Sequence, residues 1–194
     1  MTRRDKERSL HALYDAIRRD AFYRNENMGD VFVPGDGSLE DGVIVLIGEA
    51  PGRDEEREGK PFVGAAGRNL NALLRENGLA RDDLFITNLL KYRPRTPTGA
   101  NRSPSAAECR YALPFLEREL DTLRPGLAVC LGLSPAKALL NDPHLKMGQA
   151  NGALFRGAGL NILVTYHPSP FNFMVPEKSS ALRRAFRQVA VRPE

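Results

Sequence analysis

GEAPGRDEEREGKPFVGAAG, residues Gly48–Gly67, joins an apolar strand-like run to a helix through a polar, glycine-rich turn. An apolar run, Val43–Ile47, leads into it, and a helical pattern follows from near Arg68. A strand that ends in a polar, glycine-rich turn before a helix is the unit from which open α/β sheets build ligand sites. A carboxylate, Glu49, stands directly after the strand, and an aromatic ring, Phe62, lies in the same loop. Gly48 and Gly52 keep the first turn thin. Gly59, Gly64 and Gly67 allow backbone to approach a ligand closely.

Three more short apolar runs lie along the chain: Leu84–Thr87, Leu127–Leu131 and Ile162–Thr165. Each is too short for a helix core and suits a buried parallel strand. Helical patterns are predicted over 5–24, 67–77, 105–123, 135–140 and 178–190. Ser105 and Glu108 form a capping box at the start of the third, and Pro114 is expected to kink or interrupt it. Residues 25–42 read as an irregular lead-in. The expected fold is a three-layer α/β/α sandwich around a four-stranded, mostly parallel sheet. It forms one domain over 1–194, with residues 1–34 as a helical and irregular extension. Parallel strands joined by right-handed crossovers open on one edge, so Glu49, Asn88, Gly132 and His167, each following a run, are expected to meet there.

Composition sets the class. At 42% hydrophobic and 27% charged the chain reads as globular. No apolar run approaches the length of a membrane span. The opening MTRRDKERSL has no apolar segment behind its basic residues, so a cytoplasmic protein is expected. Lys+Arg number 28 against Asp+Glu 24, a net charge of +4 compatible with a phosphate-rich partner. Cys109 and Cys130 make no metal-ligand pattern, and no metal is expected. Phosphate-loop, dinucleotide and nucleophile-elbow motifs are absent.

The expected edge gathers an acid, an amide, an imidazole and a loop aromatic. A ring can stack on a planar ligand, and a carboxamide can donate and accept on a base edge. A neutral imidazole can donate to an oxygen becoming negative, and a carboxylate can hold water or stabilise a cationic sugar. Those are the needs of an enzyme that breaks a base–sugar bond.

GEAPG (Gly48–Gly52), GKPFVGAAG (Gly59–Gly67), TNLLKYRP (Thr87–Pro94), NRSP (Asn101–Pro104) and HPSP (His167–Pro170), in that order, resemble the uracil-DNA glycosylase superfamily, nearest its family 4 branch. The resemblance runs from about Gly35 to Val189. It implies excision of uracil from DNA to leave an abasic site, with DNA as partner and a monomer as the working form. It implies Glu49, Asn88 and His167 as catalytic residues, and Gly48, Ala50, Phe62, Asn88 and Ser169 around the base. Lys91, Arg93 and Arg102 are expected on phosphates, and Phe171 as the wedge that fills the flipped nucleotide's place, with Phe173 and Met174 as rivals.

The resemblance to family 4 would also imply a [4Fe–4S] cluster on four cysteines. Tyr92 stands where KCRP would supply one, and no cysteine precedes Cys109. No cofactor is therefore expected. Ala50 occupies the place of the water-activating Asp in GQDPYH-type glycosylases, leaving Glu49 either to orient water or to accept backbone N–H groups. Excision of another deaminated or mismatched base, such as hypoxanthine or xanthine, and uracil-DNA binding with weak hydrolysis remain as alternatives.

Overall fold

The computed structural model describes residues 1–25 and 27–191; Glu26 and 192–194, part of the expected 1–194 domain, lie outside the described residues. A six-stranded sheet forms the middle layer, in the order β1-β3-β2-β4-β6-β5. Its strands are β1 (Asp36–Gly37), β2 (Ile44–Gly48), β3 (Phe85–Asn88), β4 (Leu127–Leu131), β5 (Leu154–Gly157) and β6 (Leu160–Thr165). The expected parallel strands form its centre, with Gly48 opposite Asn88 and Leu131 opposite Thr165.

The sheet thus has two strands more than the four expected, both antiparallel and at its edges. β1 is two residues long, too short to leave a pattern. β5 alternates exposed and half-buried side chains instead of carrying a continuous apolar run, because one of its edges and one face meet solvent. Ala158 and Gly159, at φ 49° and 74°, join β5 to β6. Left-handed backbone at both central residues gives a tight hairpin the twist it requires.

The helices are α1 (Arg3–Arg19), α2 (Arg53–Glu58), α3 (Ala65–Glu76), α4 (Ala106–Leu123), α5 (Leu133–Leu139), α6 (Met147–Ala150), α7 (Pro170–Met174) and α8 (Pro176–Ala190). Alternation along the strands splits the core. Val45, Ile47, Ala128, Cys130 and Val164 face α1, α4 and α5, while Ile44, Leu46, Val129 and Leu163 face α3 and α8. Leu10, Leu13 and Ile17 of α1 belong to the first of these cores, so the segment read as an extension helps to build it.

Ser105 caps α4 as expected, its hydroxyl accepting from the Glu108 N–H at 3.2 Å. Pro114 does not interrupt α4, which runs unbroken from Ala106 to Leu123. It lies on the solvent face, where water can satisfy the carbonyl that loses its donor. Among the described residues no helix is long and apolar enough to cross a membrane.

Candidate active site

A cavity of about 670 Å³ opens where β2, β3, β4 and β6 end, and Glu49, Ala50, Phe62, Asn88, Arg102 and His167 all line it. Residues far apart in sequence share one wall because parallel strands deliver their C-terminal ends to one edge. Gly48 lies beneath the cavity. A Cβ there would stand 2.2 Å from Asn88 Oδ1 and 2.6 Å from the Phe62 ring, so only glycine admits both. Ser169 is not part of the lining; its hydroxyl caps α7, accepting from the Asn172 N–H at 3.4 Å.

Phe62 is buried, with φ 53°. Such a left-handed conformation costs on the order of 1–3 kcal/mol and needs outside support. Glu55 supplies it. One carboxylate oxygen accepts from the N–H groups of Val63 (3.0 Å) and Gly64 (2.8 Å), and the other from Gly52 (3.1 Å). Gly67 presses on the same corner, where a Cβ would meet the Phe62 carbonyl oxygen at 1.9 Å. Gly67 therefore makes room for the loop rather than for a ligand, correcting the expectation for it. The Phe62 ring lies 5.8 Å from the His167 ring, inclined at 34°.

Asn88 ends β3 and is 3% exposed. Among the described residues its carboxamide has no hydrogen-bond partner, although it faces the cavity. Its backbone is held instead: the Lys91 ammonium donates to the Asn88 carbonyl at 2.9 Å. That ammonium also pairs with Glu119 at 2.7 Å, and Glu119 accepts from the hydroxyls of Thr87 and Tyr14. Lys91 is 1% exposed, so its expected role on DNA phosphates is corrected. Burial pushes its pKa down, and the Glu119 charge opposes that shift.

Glu49 is fixed from across the sheet, where the Ser134 hydroxyl on α5 donates to its carboxylate. Its backbone carbonyl accepts from the Leu90 N–H at 3.1 Å, tying the β2 and β3 loops together. The sequence reading assigns Ser134 no role at the site. A signal lies in its position two residues past Gly132, which follows the Leu127–Leu131 run. His167 follows β6. Burial pushes its pKa below the ordinary histidine value, with the Glu55 charge opposing, so the imidazole is neutral at neutral pH. Asn172 and Asn69 brace its loop by donating to the carbonyls of His167 (2.8 Å) and Pro168 (3.0 Å).

Two more expected phosphate contacts change meaning. Arg93 is 5% exposed and committed to Glu56 (2.8 Å), Asn101 (2.6 Å) and the Gly99 carbonyl (2.6 Å), so it is a strut for its loop, not a free cation. Arg102 reaches the cavity but forms a two-pronged pair with Glu108, at 2.6 and 2.8 Å. Phe171 is 65% exposed on α7 and Met174 78%, whereas Phe173 packs against the core.

An iron–sulfur cluster does not fit this donor set. Cys130 is fully buried within β4, and Cys109 stands apart from it on α4. Burial, then the charges of Glu49 and Glu108, push the Cys109 thiol up to about 11, which disfavours a thiolate. Tyr92 fills its region as an aromatic, stacked on Tyr23 at 5.2 Å and meeting Phe32 at 5.6 Å.

The uracil DNA glycosylase superfamily matches residues 34–190 of the chain. The chain is 40% identical over 144 residues to the "Type-4 uracil-DNA glycosylase" of Pyrobaculum aerophilum, covering 71% of each. It is 39% identical over 145 residues to the protein of the same description from Archaeoglobus fulgidus, covering 71% of this chain and 70% of that one. Against the Saccharolobus solfataricus protein, also so described, identity is 39% over 165 residues, covering 81% and 74%.

Proposed function

The chain belongs to the uracil DNA glycosylase superfamily, in its type-4 branch but without that branch's cluster cysteines, and on that premise we propose that it hydrolyses the N-glycosidic bond of deoxyuridine in DNA. One observation carries the choice of uracil: a nearly buried carboxamide, Asn88, left without a protein partner among the described residues, beside the Phe62 ring. Its amide atoms are turned to the open cavity rather than sealed in the core, since among the described residues no fully buried side-chain nitrogen or oxygen lacks a hydrogen bond, and a pyrimidine edge in the cavity can pair with both.

In this reading the flipped uracil stacks on Phe62. The Asn88 carboxamide accepts from N3–H and donates to O4; cytosine presents the opposite pattern, and the lost pair is worth roughly 1–3 kcal/mol. As the glycosidic bond lengthens, negative charge collects on the uracil O2. His167, kept neutral because its partial burial disfavours the imidazolium, donates to that oxygen. The Glu49 carboxylate, held by Ser134, orients water and stabilises the cationic sugar. Ala50 contributes no acid–base group, so the burden on Glu49 is greater than where an Asp stands beside it.

The test is product formation on single- and double-stranded oligonucleotides carrying uracil, thymine, hypoxanthine or xanthine. Free uracil and an alkali-labile abasic site are the expected products. Release of a purine base alone, or retention of uracil-DNA without release, overturns the proposal.

A further inference from the structure

A second cleft, of about 450 Å³, lies between the end of α1, the following turn and the loop after β3. Arg18, Arg24 and Arg95 line it with the tyrosines Tyr23 and Tyr92, and among the described residues Asp30 is the one carboxylate there. The Tyr92 ring is held by its stack on Tyr23 and by the edge of Phe32. Arg18 is fixed as well, its guanidinium 4.4 Å from the Phe32 ring centre and paired with Asp15 at 3.0 Å. The charges of Arg18 and Arg24 both act on the Tyr92 hydroxyl.

We propose that this cleft is a phosphate site, in which Arg18, Arg24 and the Tyr92 hydroxyl hold a backbone phosphate of the DNA strand whose base enters the cavity. Guanidinium N–H groups and a phenol O–H are all donors, and together they match an oxyanion. Placement selects DNA. Arg95, in the cleft wall, is bridged to Asn101 on one short ribbon, and Asn101 and Arg102 line the catalytic cavity. Cleft and cavity are therefore the two sides of a single ribbon, which a continuous strand can cross. With Lys91 and Arg93 committed inside the fold, the cleft also supplies cations in place of those two.

The inference rests on the chain's acting on DNA, and its test is binding rather than excision. The 194-residue chain is titrated by fluorescence anisotropy against a labelled single strand that contains no uracil, at several salt concentrations. Each phosphate neutralised on a single strand contributes about 0.7 to the slope of log K against log salt. The Arg18→Ser/Arg24→Ser chain is expected to lose about that much slope, and Tyr92→Phe to bind more weakly with its melting temperature unchanged. Arg8→Ser, on the exposed face of α1 and paired with Asp5, serves as the charge control and is expected to leave the slope unchanged. A double variant with the wild-type slope, or a control that loses as much, overturns the proposal. So does calorimetric binding of inorganic phosphate to the cleft with no change in the DNA slope, which would make it a site for free phosphate. Absence of uracil excision would sink the proposed function while leaving this measurement readable.

Discussion

Lys91 and Glu119 form a buried ion pair at 2.7 Å whose ammonium also holds the backbone of Asn88. Both charges are out of water, and each is compensated only by the other and by hydrogen bonds. Removing one partner of such a pair costs about 3–5 kcal/mol because the other is left buried and unpaired. Lys91→Met is therefore expected to lower the urea midpoint sharply, and Lys91→Met/Glu119→Leu to recover part of that loss. In the folded fraction, the uracil-over-cytosine preference should fall as the Asn88 backbone loosens. A midpoint within error of wild type for Lys91→Met would remove the pair from the account.

In the proposed mechanism the Ser134 hydroxyl, which donates to Glu49, is expected to affect chemistry rather than binding. Hydrogen bonds to charged groups contribute about 1.5–3 kcal/mol. If Glu49 orients water, Ser134→Ala should lower single-turnover excision on the order of 10-fold or more, with KM nearly unchanged, since the base contacts stay intact. Ser134→Thr keeps the donor and should restore most of the rate. Equal losses in both variants would show that packing, not the hydroxyl, matters at this position.

Gly48→Ala tests the shared corner. Its methyl must displace either Asn88 or Phe62, at 2.2 and 2.6 Å. Misplacement of about an ångström in a reacting complex can cost on the order of 100-fold. A loss of that size is expected with the fold retained by circular dichroism; full activity would mean that the amide and the ring do not work together.

The four-strand centre and the edge that gathers Glu49, Asn88, Phe62 and His167 were legible because buried parallel strands are continuous apolar runs whose ends meet. The short edge strands were not, since Asp36–Gly37 and Leu154–Gly157 carry no such run. Charges misled for a related reason. Lys91 and Arg93 read as a basic loop because sequence does not reveal that Glu119, 28 residues on, and Glu56, 37 residues back, come to meet them. The position of Ser134 just past the third run hints at the edge, but its partner Glu49 lies 85 residues away, and the reach of Glu55 to Val63 and Gly64 across the loop leaves no periodic pattern.

His167 links burial to pH. Its folded pKa lies below the ordinary value near 6.5, because burial disfavours the imidazolium. On acidification the unfolded chain binds this proton first, so the contribution to stability falls from about pH 6.5 down to the folded pKa. His167→Asn should therefore lose less stability than wild type between neutral and mildly acidic pH, measured as the difference in urea midpoint. The excision rate of the wild type should fall on the acid side of that lowered pKa, where the imidazole is no longer the neutral donor. A midpoint difference independent of pH would show that His167 does not titrate in this range.

Phe171 and Met174 project from α7 into solvent beside the cavity's last loop, while Phe173 is turned into the core. An exposed apolar side chain next to a base-binding cavity can fill the gap left by a flipped nucleotide, offsetting an unstacking cost of a few kcal/mol. The Lys178 ammonium lies 4.6 Å from the Phe171 ring centre and steadies it, which favours Phe171 over Met174 as the wedge. Phe171→Ala should slow single-turnover excision most on a stable uracil–adenine pair, less on a mismatch and least on a single strand. Its salt slope should match wild type, because no charge is lost. Phe173→Ala, by contrast, should lower stability and slow all three substrates alike. Equal slowing by Phe171→Ala on every substrate would place it outside the flipping step, and the same graded pattern in Met174→Ala alone would move the wedge one helical turn along.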